Sequence, residues 1–452
     1  MLGRRSGRCL ALAVAAVAMA LGLVQCGSRQ TVAAGREDAP RSLKARAFHS
    51  NFSHGRQTFN GVSCASDGNI YYVIASAKLH VGGQVYRYSP ATDEVRHLAD
   101  LTAVCGEKDL RAIPQGKSHV NFVEANGKLY FSTHVAYYDI EGAKEIKADP
   151  PPGYRPYPGG HFMAYDLKSG SFDVLGTAPF GEGIITMAMD TRRERLYGLS
   201  WPTGYFVALN LKSRELRHTG PVEERGEAGQ GARYRTVCRS MIVDPRDGAA
   251  YFTTSRGDVM RYRWDGNTLA PVAGVDLRKD YFGNFDPATP GHMGYHWRQT
   301  VWYEPQGAIL GVHGNSGYLF RYLPAENRVE VIERLTSEPS RRSGMFDMYY
   351  YGYLGLAFGN DGRTLYYLTG GPIPGRKREQ TGVLGVRGEE NLHLVTYDVP
   401  AGRYTDHGPV FMENGERPTH VNSIAIGKDG AVYTLANISA RTDLIRIPPV
   451  TK

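Results

Sequence analysis

The chain repeats a short apolar and aromatic pattern at seven places, and a repeat of this kind leaves few folds open. The pattern G-x-Φ-Φ-x-Y, with Φ apolar, recurs as GGQVYRY (82–88), GGHFMAYD (159–166), TGYFVALN (203–210), GDVMRYRWD (257–265), SGYLFRYLP (316–324), NLHLVTYDVP (391–400) and RTDLIRIP (441–448). Before each copy comes a turn and a short apolar run: DGNIYYV, NGKLYFS, RERLYGL, DGAAYFT, QGAILGV, DGRTLYYL and DGAVYTL. Asn-Gly and Asp-Gly favour tight hairpins because both residues tolerate positive φ. A further strand precedes each turn, as in HVNFVEA, RSMIVDP, QTVWYEP and NSIAIGK, and a polar strand follows six of the seven copies, as in DEVRHLAD and GRYTDHG. Four short antiparallel strands cannot bury both their faces alone, so the units must stack on one another. The reading is an all-β fold, a seven-bladed β-propeller of four-stranded antiparallel blades. No fourth strand follows the seventh unit, and residues 45–57 are expected to supply it, closing the ring without an unpaired gap.

Ahead of this domain, Arg4, Arg5 and Arg8 precede an Ala/Leu/Val run from Leu10 to Val24. That arrangement reads as a signal peptide over residues 1–25, too short for a comfortable membrane span. Leu23-Val24-Gln25-Cys26 resembles a lipobox, which makes Cys26 the candidate lipidation site, and Val32-Ala33-Ala34 is the competing cleavage signal. Residues 26–44 read as a flexible tether and 45–452 as a single propeller domain. The expected location is therefore outside the cytoplasm, as a periplasmic or cell-surface lipoprotein or a secreted protein, with membrane contact only through a lipid. An oxidising compartment permits a Cys64–Cys105 disulfide, and two buried thiols are the alternative. The formal charge is +8, and removing residues 1–25 takes away three arginines and no acid. A basic balance suits an anionic partner, although solvated surface lysines and arginines account for it as well.

The repeat also locates a site. The start of each innermost strand faces one mouth of the central channel. The aligned position reads Asn60, His119, Ile185, Arg239, Gln299, Leu354 and Asn422 around the ring, and two residues earlier Thr58, Lys117, Gly183, Val237, Trp297, Gly352 and His420. Five of the first seven are polar or cationic where a plain core would be apolar. His134 ends the second strand of blade two, antiparallel to the strand that His119 starts, so both imidazoles emerge on one face, with Tyr138 just beyond. Asn60, Lys117, Trp297, Gln299, Asn422 and Tyr205 are the candidate substrate-binding residues. Cys238, His296 and His420, all near inner-strand starts, are candidate ligands for a structural zinc or other divalent metal. No HExxH, EF-hand loop, P-loop or G-x-S-x-G elbow is present, so serine-triad and nucleotide chemistry lack support, and nucleic acid is not an expected partner. An inward set of Glu, Asn and Asp ligands of the lactonase kind is missing as well.

The segments GKSHVNFVEANGKLYFSTHVAYYD, YPGGHFMAYDLKSGSFDVLG and GEGIITMAMD resemble the seven-bladed propeller polysaccharide lyases of the ulvan-lyase type, most clearly over residues 115–210. The resemblance implies an exported lyase acting on acidic polysaccharide, a histidine pair matched by His119 and His134, a partnering tyrosine and arginine, and a structural zinc. Residues 184–205 offer Ile185, Trp201 and Tyr205 and no arginine at a pocket-facing strand end, so Arg239 on the next blade is the candidate replacement. In such a lyase the C5 proton of a uronic acid is removed once its carboxylate is neutralised. Arg239, with Gln299 or Asn422, would stabilise the developing enolate charge. His119 and His134 would serve as base and acid, with Tyr138 or Tyr205 as the backup acid. This chemistry requires no cofactor. The alternative is a non-catalytic propeller that binds glycan or a protein partner at the same face.

Overall fold

A computed structural model describes residues 42–57, 59–76, 78–135, 138–140, 143–145, 150–280, 285–288, 293–314, 316–343, 355–372 and 390–450. The signal segment, Cys26 and nearly all of the tether lie outside these residues, as do Thr58, Gly352 and Leu354.

The protein is an all-β propeller whose described strands form four four-stranded sheets, one five-stranded sheet, one eight-stranded sheet that divides into two units, and a separate two-stranded hairpin. Blade 1 runs from its inner strand Val62–Cys64 through Ile70–Ser76 and Gln84–Ser89 to Glu94–Asp100, with Gly55–Gln57 pairing on Ile70–Ser76. Blade 2 is Val123–Ala125, Lys128–Ser132, His161–Asp166 and Phe172–Thr177, and blade 3 is Gly183–Asp190, Arg195–Trp201, Tyr205–Asn210 and Leu216–Pro221. Blade 4 is Ile242–Val243, Ala250–Thr253, Asp258–Arg263 and Thr268–Asp276, and blade 5 is Trp297–Tyr303, Ala308–His313, Tyr318–Leu323 and Arg328–Arg334. Blade 6 is Gly355–Phe358, Thr364–Pro372, Glu390–Asp398 and Arg403–Met412. Blade 7 has Ala425–Ile426, Val432–Ile438 and Arg441–Ile447, and Leu43–Phe48 completes it.

The closing strand begins two residues earlier and ends sooner than the sequence suggested. Arg46–Phe48 pairs antiparallel with Arg441–Ile447, while Leu43–Ala45 pairs parallel with the outer strand of blade 6. One strand thus satisfies two edges that would otherwise be open. Ala45 is fully buried between them, and Phe48 packs on Tyr88 of blade 1 at 4.1 Å between ring centroids.

Contacts between neighbouring blades run all the way round. Phe122 donates its N–H to Ser63 Oγ across blades 1 and 2, Ile184 donates to the Thr133 carbonyl across 2 and 3, and Thr186 Oγ1 donates to the Cys238 carbonyl across 3 and 4. Ser240 and Thr300 share a hydroxyl hydrogen bond across 4 and 5, Tyr303 stacks on Phe358 across 5 and 6, and Asn360 Nδ2 donates to the Gly427 carbonyl across 6 and 7. The tyrosines of the repeat explain much of the remaining packing. The hairpin-strand tyrosine of one blade meets the third-strand tyrosine of the next in Tyr71–Tyr165, Tyr197–Tyr262, Tyr251–Tyr322 and Tyr433–Tyr88, with centroids 5.6 to 5.9 Å apart. Each such pair contributes about 0.5–1.5 kcal/mol beyond the apolar area it buries. Burial pushes the phenols up, Tyr197 and Tyr433 to about 12.

Cys64, Cys105 and Cys238 are all free thiols, so the Cys64–Cys105 disulfide does not form; Cys238 is buried, while Cys64 and Cys105 are half-buried rather than buried. Cys105 lies instead against the Met163 sulfur at 3.8 Å. Between the second and third strands of blade 2, Tyr138–Ile140 pairs with Ala143–Glu145 as a hairpin.

Candidate functional site

The regular part of the inner strand is short in blades 1, 2, 4 and 7, and the chain ahead of it runs irregularly. Asn60, His119, Arg239 and Asn422 sit in these irregular stretches. In blade 2, Lys117 and His134 exchange two backbone hydrogen bonds, of 3.1 and 2.8 Å. That pairing brings His119 and His134 to one place as expected, with rings 6.2 Å apart and perpendicular. Their Nδ1 atoms are buried and make no hydrogen bond. Phe59 packs on His119 at 4.9 Å, and the Lys117 ammonium stands 4.1 Å above the same phenyl ring. Trp201 meets the edge of His134 at 5.4 Å.

Arg239 enters from blade 4. Its Nη2 pairs with Glu227 Oε1 at 2.7 Å and its Nη1 donates to the Val237 carbonyl at 2.5 Å. Glu227 also accepts the Val237 N–H at 3.0 Å and the Trp201 indole N–H at 2.8 Å. One carboxylate therefore fixes both the guanidinium and the indole beside the histidine pair. Asn60 of blade 1 accepts a 3.3 Å hydrogen bond from Gln299 of blade 5, so these two ring positions reach each other across the channel. Asn422 is buried at its expected place in blade 7.

Electrostatics distinguish these groups. Burial, then the charges of Lys117 and Arg239, hold His119 and His134 well below the ordinary imidazole range, with Arg298 adding to the effect at His119 and the His119 ring at His134. Both rings are neutral at physiological pH. Burial and the Arg239 charge lower the Lys117 ammonium to about 7, with Glu227 opposing them. The site thus offers two neutral imidazoles, one amine poised near neutrality and one guanidinium held by Glu227.

Other expected residues lie elsewhere. Trp297 is fully buried, stacked on Phe320 at 6.1 Å, with its indole N–H on the Ser240 carbonyl. It forms the wall between blades 4 and 5 and cannot stack on a ligand. The cause is a bulge at Arg298, which breaks the alternation and turns Trp297 away from the face Gln299 uses. Tyr205 stands at the start of the third strand of blade 3, outside the histidine cluster, where its ring packs 4.8 Å from Phe180. Tyr138 lies in the hairpin, and its side chain is outside the described residues.

The three candidate metal ligands do not assemble. His296 Nε2 engages the Thr236 carbonyl at 2.6 Å and Nδ1 engages Thr253 Oγ1 at 3.1 Å, so both nitrogens are occupied, and burial lowers its pKa to about 3. Cys238 donates to the Ser240 carbonyl, and His420 belongs to blade 7, at φ 55° and 3.5 Å from Thr419 Oγ1. Among the described residues no three His, Cys, Asp or Glu side chains form a metal-holding group. The residues present therefore do not fit a zinc at this position.

Glu227 and Arg298 were not found from the sequence. Glu227 lies in the linker between blades 3 and 4, outside the repeat, and Arg298 occupies the bulge.

No protein-family model matches the chain, and no curated protein matches it. Solved structures resemble it in fold. The extracellular domain of the hybrid two-component system BT3049 from B. thetaiotaomicron is 11% identical with a TM-score of 0.50, over 90% of this chain and 41% of that one. The corresponding domain of BT4673 is 10% identical with a TM-score of 0.48, and the chain covers 40% of its length. The β-propeller domain of Myceliophteria thermophila Cps50 (Swd1) is 9% identical with a TM-score of 0.49, over 90% and 99% of the two chains. Such likeness speaks to the propeller fold alone. Among the described residues no helix is long and apolar enough to cross a membrane.

Proposed function

We propose that the protein is exported and that the mouth of its channel binds a uronic-acid-containing anionic glycan and cleaves it by β-elimination. The observation that carries this reading is the pair of unbonded imidazole Nδ1 atoms on rings 6.2 Å apart, beside Lys117 and Arg239. The uronate carboxylate lies against Arg239 and Lys117, whose charge stabilises the enolate formed as C5 loses its proton. The neutral His119 ring accepts that proton on Nδ1. The electron pair forms the C4–C5 double bond, the C4–O bond breaks, and the departing oxygen takes a proton. Two neutral imidazoles supply a base but no strong acid, so the proton comes from Lys117, the group nearest neutrality. A bound carboxylate raises the proton affinity of all three groups. No metal or cofactor takes part in these steps.

A second reading, glycan binding without cleavage, is favoured by two facts: Arg239 is already paired with Glu227, and His119 and His134 are only 5% and 1% exposed. Ultraviolet absorbance of the unsaturated uronate product, followed on a panel of polyuronates, separates the two. The lyase reading expects product from at least one polymer and none from His119→Ala. Binding with no product on any polymer supports the second reading. Full activity in His119→Ala removes the assigned site.

A further inference from the structure

The geometry points to a second sugar-binding position on the same face: we propose that Phe180 and Tyr205 form a stacking platform for a sugar ring further along the glycan chain. This rests on the glycan reading above and extends it outward from the histidine pair over blade 3.

Phe180 is 66% exposed, well above the other large apolar side chains on the described surface, Leu110, Val174 and Leu216, which reach 37% to 41%. It also holds a left-handed backbone, φ 64°, where Gly or Asn would sit with less strain. A strained and exposed aromatic contributes little to a core, and strain of this kind gathers at binding sites. Its ring is not isolated. Tyr205 lies 4.8 Å away at 39°, and His218 meets Phe180 edge-on at 5.5 Å, so the platform combines aromatic faces with polar edges. Pyranose rings present that same mixture of C–H faces and hydroxyl edges.

The position is continuous with the site. Phe180 lies in the linker that enters blade 3 at Gly183, the residue against which His134 packs. Glu182 ties that linker to the next loop by accepting hydrogen bonds from Ser200 Oγ at 2.5 Å and the Thr203 N–H at 3.1 Å. That loop joins Trp201, beside His134, to Tyr205. His134, Trp201, Tyr205 and Phe180 thus follow one another outward across the top of the blade, along a rigid support. A chain anchored by a carboxylate at Arg239 would pass over them.

Calorimetry with a uronate octasaccharide and a uronate disaccharide tests the platform, with a neutral octasaccharide as the third probe. Wild type should prefer the octasaccharide to the disaccharide, and that preference should fall about three- to tenfold in Phe180→Ala and Tyr205→Ala. Phe180→Trp should restore it. An undiminished preference in both alanine variants, at unchanged thermal stability, overturns the platform. Phe180-dependent binding of the neutral octasaccharide without uronate binding keeps the platform and removes the anionic reading. Binding of no oligosaccharide by wild type overturns both. Phe180-dependent uronate binding without product formation leaves the platform standing while the lyase reading fails.

Discussion

A methyl group on Gly183 should disable the site by displacing one imidazole. A Cβ built there would stand 1.9 Å from His134 Nδ1 and 2.7 Å from Cε1, where ordinary contact begins at 3.4 Å. The ring would have to withdraw by about 1.5 Å, since the backbone cannot yield: Gly183 pairs with Trp201 and Ile184 donates to the Thr133 carbonyl. Overpacking of this sort costs about 1–3 kcal/mol. For a domain of roughly 400 residues that lowers the Tm by only about 1–4 °C, so Gly183→Ala should fold. His134 itself takes no proton, but it stands perpendicular to the His119 base at 6.2 Å between ring centroids, so its withdrawal is passed to a reacting group, where a displacement of an ångström costs about a hundredfold in rate. The expected result is a cooperative thermal transition close to wild type, an eliminase rate reduced about a hundredfold, and a shifted His134 resonance in histidine-selective NMR. Gly198→Ala is the control. Its Cβ would press on Ile184, Thr186 and Phe162 at 3.1 to 3.2 Å without touching a histidine, so it should cost stability and spare the rate. A Gly183→Ala protein with a wild-type rate and an unmoved His134 resonance would refute the placement of that ring.

Three further outcomes are expected. Glu227→Gln removes the charge that holds Lys117 up, so the alkaline limb of the pH–rate profile should move to lower pH by on the order of one unit, and an unmoved limb would contradict Lys117 as the proton donor. Lys117→Met should stabilise the fold most below pH 7. The folded ammonium titrates near 7 and the unfolded one near 10.5, and between these values the unfolded chain holds the extra proton. Wild-type stability therefore climbs through that window, and the advantage of Lys117→Met in Tm should shrink to nothing near pH 10.5; a constant advantage would contradict it. Deleting residues 1–49 removes the closing strand, and the truncated chain should aggregate on size-exclusion chromatography and lose its cooperative melt, because two strand edges and the Ala45 and Phe48 contacts are opened together.

The fold was legible because each blade carries its own turn signal and its own tyrosines, and these recur at positions that can only be buried by stacking. The strand partner of the closing segment was legible from the missing fourth strand, but its parallel pairing with blade 6 was not, since nothing in LKARAF distinguishes one edge from two. At the site, His119 and His134 were readable from strand direction alone. Trp297 misled because two-residue alternation assumes an unbroken ladder, and one extra residue at Arg298 reverses it. The shared position of Cys238, His296 and His420 near inner-strand starts suggested a metal, yet local hydroxyls and carbonyls occupy His296 first. Glu227 left no trace in the repeat because it acts from a linker, and only the fold brings it to Arg239, Trp201 and Val237.

The most direct measurement is a crystal structure of His119→Ala soaked with a uronate oligosaccharide. The account predicts a uronate carboxylate against Arg239 and Lys117, its C5 facing the space vacated by the imidazole. An oligosaccharide bound at the opposite end of the channel, or on the outer strands of the blades, would contradict it.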